Sequence, residues 1–138
     1  MQTVGIANRR QPGPRGADLR VLVVDDEGAT RAGVAALIPV RDDRPCQVLL
    51  AANQAQALDL DRRFNPQIIV LDVDLEGHDG LALMPHFLPH ARVIVLTSQG
   101  GLETRARALA LGASAFIDKR DPAAVLAKCL ATLADAAD

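Results

Sequence analysis

A chain of 138 residues with net charge −2 at pH 7 is long enough for one ordinary domain and too short for two well-packed ones. With 49% apolar residues, three Phe and no Trp or Tyr, it lacks both the basic field and the aromatic platforms of a nucleic-acid binder. It also lacks the acidic excess of a disordered chain. Cys46 and Cys129 form no C-x-x-C pair and have no His at ligand spacing, so neither a zinc site nor a disulfide framework is indicated. No apolar run reaches the length of a membrane span or forms a signal-peptide core, and the expectation is a cytoplasmic chain with no membrane contact.

Residues 1–18 hold Pro12, Gly13, Pro14 and Gly16 without sustained periodicity and read as a flexible leader carrying Arg9, Arg10 and Arg15. One domain is expected over 19–138. Arg20-Val21-Leu22-Val23-Val24 predicts a strand that ends in acids, Asp25, Asp26 and Glu27. Val34, Leu37 and Ile38 recur at helical spacing from Gly28 to Ile38, before Pro39. Cys46–Ala51 predicts the next strand, and a helix follows through Ala57, Leu58 and Phe64, in which Asp61 occupies a position that favours an apolar residue. Ile68-Ile69-Val70-Leu71 has no polar alternation, as in a strand buried on both faces of a parallel sheet, and it stops at Asp72. Turn formers follow: Asp74, Glu76, Gly77, Asp79 and Gly80. A short helix, limited by Pro85 and Pro89, spans Leu81–Leu88. Arg92–Leu96 predicts a fourth strand ending at Thr97 and Ser98, Leu102–Leu111 a helix closed by Gly112, and Ala115–Ile117 a fifth strand ending at Asp118 and Lys119. Asp121-Pro122 opens a last helix over Ala123–Leu133.

Strands alternating with helices imply a parallel sheet with right-handed crossovers covering both faces. All five strand ends then meet at one edge, which receives Asp25, Asp26, Asp72, Asp74, Thr97, Ser98 and Lys119. Carboxylates crowded there cannot all stay ionised without a cation. With oxygen ligands and no His or Cys, the cation expected is Mg²⁺ (or Mn²⁺), which shares its sphere with phosphate oxygens. Lys119 adds a fixed positive charge and Thr97 a hydroxyl donor, so each oxygen of a phosphoryl group held on Asp72 finds a partner. Asp72 is the candidate nucleophile.

VLVVDDE, IIVLDVDLEGHDGLAL, VIVLTSQG and AFIDK resemble, in order and approximate spacing, the signature segments of the receiver domains of two-component response regulators, over about residues 19–135. The resemblance implies a flavodoxin-like α/β fold, a doubly wound five-stranded parallel sheet in the order 2-1-3-4-5. It implies that Asp72 is the phosphoacceptor, Asp26 a direct metal ligand and Asp25 its water-mediated neighbour. The backbone carbonyl of Asp74 would complete that metal site. Thr97 is implied as the switch hydroxyl, Lys119 as the phosphate-binding lysine and Phe116 as the aromatic rotor. The implied partner is a histidine kinase or a histidine phosphotransfer protein, and the chain is a self-phosphorylating switch rather than a turnover enzyme. It either stands alone or leads a longer regulator, and a downstream protein receives the signal. Two positions depart from the family pattern. Arg120 follows the lysine where proline is common, so a trans Lys119–Arg120 bond is expected, with the Arg120 side chain at the pocket mouth or on the last helix. Glu76 stands where many relatives have proline. The last helix also lacks the basic positions used by relatives that dimerise through the fourth helix, fifth strand and fifth helix. That dimer is therefore not implied, and a phosphorylation-dependent dimer stays open.

Two alternatives remain. Asp72-Val73-Asp74 after an apolar strand resembles the D-x-D of haloacid dehalogenase-type phosphatases, in which Asp72 would also be the nucleophile. Chain order speaks against it, because the acidic pair Asp25-Asp26 precedes the motif and little chain follows Lys119. A phosphate-independent receiver-like interaction module is the other, and the complete residue set speaks against that. His78, His86 and His90 have no ligand partner in sequence and read as loop residues. Gly77 and Gly80 read as serving backbone geometry.

Overall fold

The computed structural model describes residues 2–6, 18–38 and 44–137. The strands are β1 (Gln2–Ile6), β2 (Leu19–Val24), β3 (Cys46–Ala51), β4 (Ile68–Leu71), β5 (Asp74–Leu75), β6 (His78–Asp79), β7 (Arg92–Thr97) and β8 (Ala115–Asp118). The helices are α1 (Gly28–Leu37), α2 (Gln54–Phe64), α3 (Met84–Phe87), α4 (Leu102–Leu111) and α5 (Ala123–Ala136). The main sheet has the order β1-β3-β2-β4-β7-β8. Its last five members are all parallel, which is the predicted 2-1-3-4-5 arrangement.

The strands read as unbroken apolar runs because the sheet is covered twice. Val21, Val23, Ile68, Val70, Ile94 and Leu96 face a core closed by Val34 of α1 and Leu126, Leu130 and Leu133 of α5. Leu22, Val24, Ile69, Leu71, Val93 and Val95 face the opposite core, with Ala57 and Leu60 of α2, Met84 and Phe87 of α3 and Ala108 of α4. A two-residue side-chain period sorts each strand between the two layers. The fourth helix is seated most lightly. Ala108 is its one buried residue, and Leu102 and Leu109 are exposed.

Helix ends follow local chemistry. Asn53 accepts from the Gln56 N–H at 2.9 Å while the Gln56 side chain accepts from Ala52 N–H at 2.8 Å, a reciprocal cap on the first turn of α2. Gly112 closes α4 at φ 111°, where a Cβ would be strained. The helix predicted after Asp72 begins as a 3₁₀ turn over Gly80–Leu83 and becomes α-helical only over Met84–Phe87, because Pro85 can sit only in a first turn.

One expectation needs correction, and two sequence features acquire partners. The leader is not flexible throughout, since Gln2–Ile6 adds as an antiparallel strand to the free edge of β3, with a bulge between Val4 and Ile6. Thr3, Val4 and Ile6 are β-branched, and the unpaired edge supplies the ladder partner that sequence alone cannot show. The remaining leader positions, including Arg9, Arg10 and Arg15, lie outside the described residues, as does Pro39. Asp61 is buried on α2, as its position, which favours an apolar residue, leads one to expect. It meets His90 Nε2 at 2.6 Å, so His90 has a carboxylate partner 29 residues away in sequence. Arg120 turns back onto the end of its own strand. Its Nε and Nη2 clasp the two Asp118 carboxylate oxygens at 2.9 and 2.6 Å. The described peptide bonds, Lys119–Arg120 among them, are all trans.

Candidate functional site at the carboxyl edge of the sheet

Register alone brings the predicted residues together. Val24 pairs with Leu71, so Asp25 and Asp72 leave neighbouring strands side by side. Leu71 pairs with Val95, which carries Thr97 one step past the level of Asp72. Thr97 in turn pairs with Asp118, so Lys119 enters from the next strand, where its N–H donates to the Thr97 carbonyl at 3.1 Å.

The carboxylates of Asp25, Asp26 and Asp72 offer ligand atoms within 4.8 Å of one another. Asp25 and Asp72 are buried, at 2% and 5% exposure, so their charges are poorly screened by water. Asp25 Oδ1 accepts from the Glu27 N–H at 2.9 Å and Oδ2 lies 2.9 Å from Lys119 Nζ. Burial pushes the Asp25 carboxyl up, against the lowering pull of the Glu27 N–H and the Lys119 ammonium, while the Asp72 charge adds to the rise. Asp26 Oδ2 accepts from the Glu76 N–H at 2.8 Å. Among the described residues no hydrogen bond engages Asp26 Oδ1. Asp26 does not cap α1, because the residue before that helix is Glu27 and no side chain caps it.

Lys119 is the counter-charge. Its ammonium lies 2.9 Å from Asp25, 3.0 Å from Asp72 and 2.7 Å from Glu27, one acceptor for each of its three N–H donors. Burial opposes the charge, but the Glu27, Asp25 and Asp72 carboxylates together hold the Lys119 pKa above its ordinary value. Hydrogen bonding to Lys119 holds the Glu27 carboxyl below its usual range. The sequence presents Glu27 only as part of an acidic strand end. The two residues lie 92 positions apart, and no local pattern links them.

The loop that leaves Asp72 is shaped by two glycines and one strained acid. Asp74 pairs with Asp79 and Leu75 with His78, leaving Glu76 and Gly77 as a two-residue hairpin loop. Both have positive φ, 54° and 83°, the pattern of a type I′ turn. Proline, fixed near φ −65°, cannot occupy the first of these positions, so the departure at Glu76 and the hairpin go together. The Asp74 side chain accepts from Gly77 N–H at 2.9 Å and so turns into the hairpin rather than the acid cluster. Only its backbone stays close, with its N–H 3.4 Å from Asp72 Oδ1. A Cβ on Gly80 would lie 1.9 Å from the Asp72 carbonyl oxygen, which ties that glycine to the return of the loop over Asp72.

Thr97 is fully buried, and its hydroxyl accepts from the Gln99 N–H at 3.0 Å, leaving its own proton free to donate. Phe116 is half-buried in the layer that contains Val93 and Val95, the layer to which alternation also assigns Thr97. The Arg105 guanidinium of α4 stands over the ring at 6.0 Å. Ser98 is exposed.

All-oxygen donors with surplus negative charge suit a hard divalent cation, and a buried carboxylate beside an ammonium suits the acceptance of an electrophilic phosphorus. The residues thus fit the cation that the sequence implies.

The sequence profile of the response regulator receiver domain matches residues 21–130. The chain is 26% identical over 118 residues to the transcriptional regulatory protein LnrK of Bacillus subtilis, covering 83% of this chain and 53% of that protein. It is 36% identical over 106 residues to the protein-glutamate methylesterase/protein-glutamine glutaminase of Pectobacterium atrosepticum, covering 73% of this chain and 30% of that one. The chain thus spans about half or less of these curated relatives. A crystal structure of a response regulator protein from Burkholderia pseudomallei, with a phosphorylated aspartic acid, calcium ion and citrate, matches at TM-score 0.70 and 28% identity. That match covers 84% of this chain and 66% of the other. By fold, site chemistry and sequence profile, the chain belongs to the response regulator receiver domains.

Proposed function

We propose that Asp72 is the phosphoacceptor and that residues 19–138 form a Mg²⁺-dependent phosphorylation switch served by a histidine kinase or a histidine phosphotransfer protein. The observation that carries this is the placement of Lys119 Nζ 3.0 Å from Asp72 Oδ2, beside carboxylates that converge within 4.8 Å. Asp26, with one oxygen uncommitted among the described residues, supplies a direct ligand for Mg²⁺ (or Mn²⁺). Asp25, with both oxygens engaged, acts through water. Asp72 and the Asp74 carbonyl complete the set. A divalent cation held by these residues would supply positive charge opposite the phosphoryl oxygens.

A carboxylate oxygen of Asp72 attacks phosphorus as the donor's bond to phosphorus breaks, and the leaving group departs with that bonding pair. Lys119 offers an N–H to one phosphoryl oxygen and the Thr97 hydroxyl a proton to another. Drawing Thr97 toward the phosphoryl group frees room beside β7 for the Phe116 ring, so the two residues bias one two-state element. A downstream protein then reads the altered surface.

The switch works in the cytoplasm, alone or as part of a longer regulator. No helix among the described residues is long and apolar enough to cross a membrane. The catalytic activity of the methylesterase relatives belongs to those proteins, of which this chain spans 30%. With excess small acyl phosphate, one phosphoryl group per chain is taken up and slowly lost. Sustained turnover of an unactivated phosphate monoester would instead support a phosphatase.

A further inference from the structure

We propose that Glu27 is a gate on Lys119: its carboxylate holds the ammonium donor that a phosphoryl group on Asp72 must win, and so slows self-phosphorylation. This rests on Asp72 being the phosphoacceptor.

An ammonium has three N–H donors and no acceptor. Here all three face carboxylates, with Glu27 at 2.7 Å the shortest contact, Asp25 at 2.9 Å and Asp72 at 3.0 Å. As a phosphoryl group approaches Asp72, its oxygens need a donor from Lys119 while Asp72 is still a carboxylate, and one of the three carboxylates must release its own. The three differ sharply in what release costs them. The Asp25 and Asp72 side chains are 3% and 6% exposed, so losing the ammonium would strand a buried charge. The Glu27 side chain is 62% exposed and returns to water with little penalty. Glu27 is therefore the partner that leaves.

The same carboxylate is also far more exposed than that of Asp72, 62% against 6%. Glu27 is the last residue before α1, and its backbone N–H is spent on Asp25, which fixes where its side chain starts. A phosphodonor arrives with negative charge and meets the Glu27 charge before it meets Asp72. Repulsion and competition for Lys119 act in the same direction, and both relax once Glu27 swings outward. No proton changes hands: Lys119 stays an ammonium, Glu27 stays a carboxylate, and only the acceptor of one N–H changes.

The test is the time course of labelling, by intact mass, of the whole chain with a small acyl phosphate and Mg²⁺, across donor concentrations. Glu27→Gln keeps an acceptor oxygen but loses the charge, and Glu27→Ala loses both. Asp59→Asn is the control, removing a charge on α2 that is paired with Arg62 and Arg63. At low salt and low donor concentration, both Glu27 variants are expected to label about fivefold faster, the size of one unit-charge interaction at contact distance in water. At 1 M salt the advantage should shrink, because exposed charges are screened. Asp59→Asn should label at the wild-type rate. Glu27 variants no faster than a normally labelling wild type would overturn the gate and leave Asp72 standing as phosphoacceptor, as would an equal acceleration in Asp59→Asn. A wild type that takes up no phosphoryl group overturns the Asp72 reading and the gate together.

Discussion

The backbone N–H of Glu76 donates to Asp26 Oδ2 at 2.8 Å, and this bond ties the hairpin after Asp72 to the acid at the end of β2. Glu76 holds φ 54°, an arrangement that costs a non-glycine residue roughly 1–2 kcal/mol. Glu76→Gly relieves that strain and keeps the N–H, so it should raise stability by up to about 1 kcal/mol and leave cation affinity unchanged. Glu76→Pro cannot adopt the angle and has no N–H to give. It should destabilise by more than about 1 kcal/mol and weaken Mg²⁺ binding, measured by denaturant unfolding with and without the ion. Unchanged Mg²⁺ affinity in Glu76→Pro would show that the bond does not position Asp26.

Asp25 gives the pH dependence its sign. Its carboxyl is held above the ordinary value, chiefly by burial, so the folded state binds this proton more tightly than the unfolded chain does. Stability from this group is present below the unfolded value and is lost as pH rises through the raised folded value. Without Mg²⁺, Asp25→Asn should therefore have a higher Tm than wild type at pH 7, and the gap should close toward pH 3. Mg²⁺ at a hundred times its Kd should add about 2.7 kcal/mol to wild type and clearly less to Asp26→Asn. Equal metal-free Tm values at pH 7 would remove burial of charge as a feature of this pocket.

Asp118 behaves in the opposite sense. The Arg120 guanidinium and N–H hold its carboxyl down at about 2, so this contribution is present above the unfolded value and is lost as pH falls through about 2. In Arg120→Ala the Asp118 midpoint should move toward the ordinary 3.8 in a carbon-detected NMR titration. No movement would mean that Arg120 does not clasp Asp118 in solution.

Phosphorylation and switching should separate at Thr97. Thr97→Ala keeps Asp72, the acids and Lys119, so it should still label, more slowly by about tenfold if one hydroxyl hydrogen bond to the transition state is lost. Chemical shifts around Phe116 and α4 should then respond weakly to phosphorylation. A full response in Thr97→Ala would remove Thr97 from the switch.

Asp61 tests how much a buried polar pair contributes. Asp61→Ala should cost about 1–3 kcal/mol, because it leaves His90 Nε2 without its partner and opens space beside Ala57 and Leu60. Asp61→Leu fills that space while His90, 28% exposed, turns to water, and it should stay within about 1 kcal/mol of wild type.

What could be read from sequence divides along the range of the interaction. Ile68–Leu71 and Cys46–Ala51 were bounded to the residue, because an apolar run covered on both faces ends abruptly at its polar neighbours. Gly112 marked the end of α4 because only a left-handed residue closes a helix that way. Asp25, Asp26, Asp72, Thr97 and Lys119 were expected together because each ends a parallel strand, and the sheet then does the gathering. The pairing of Gln2–Ile6 with β3, the Asp61–His90 contact and the Glu27–Lys119 contact were not visible. Each joins segments far apart in sequence, and even Asp61, out of place on an apolar helix position, does not name its partner. The Glu76–Gly77 hairpin fell between these cases: the glycine announced a turn, and the strained conformation of Glu76 did not.

The most direct test is intact mass after incubation with a small acyl phosphate, for wild type and Asp72→Asn, with Mg²⁺ and with a chelator. A single phosphoryl group should add to the wild type only when Mg²⁺ is present, and none should add to Asp72→Asn, whose amide is no nucleophile. Mg²⁺-dependent labelling that persists in Asp72→Asn, or a wild type that stays unlabelled with Mg²⁺ present, would contradict the assignment of Asp72.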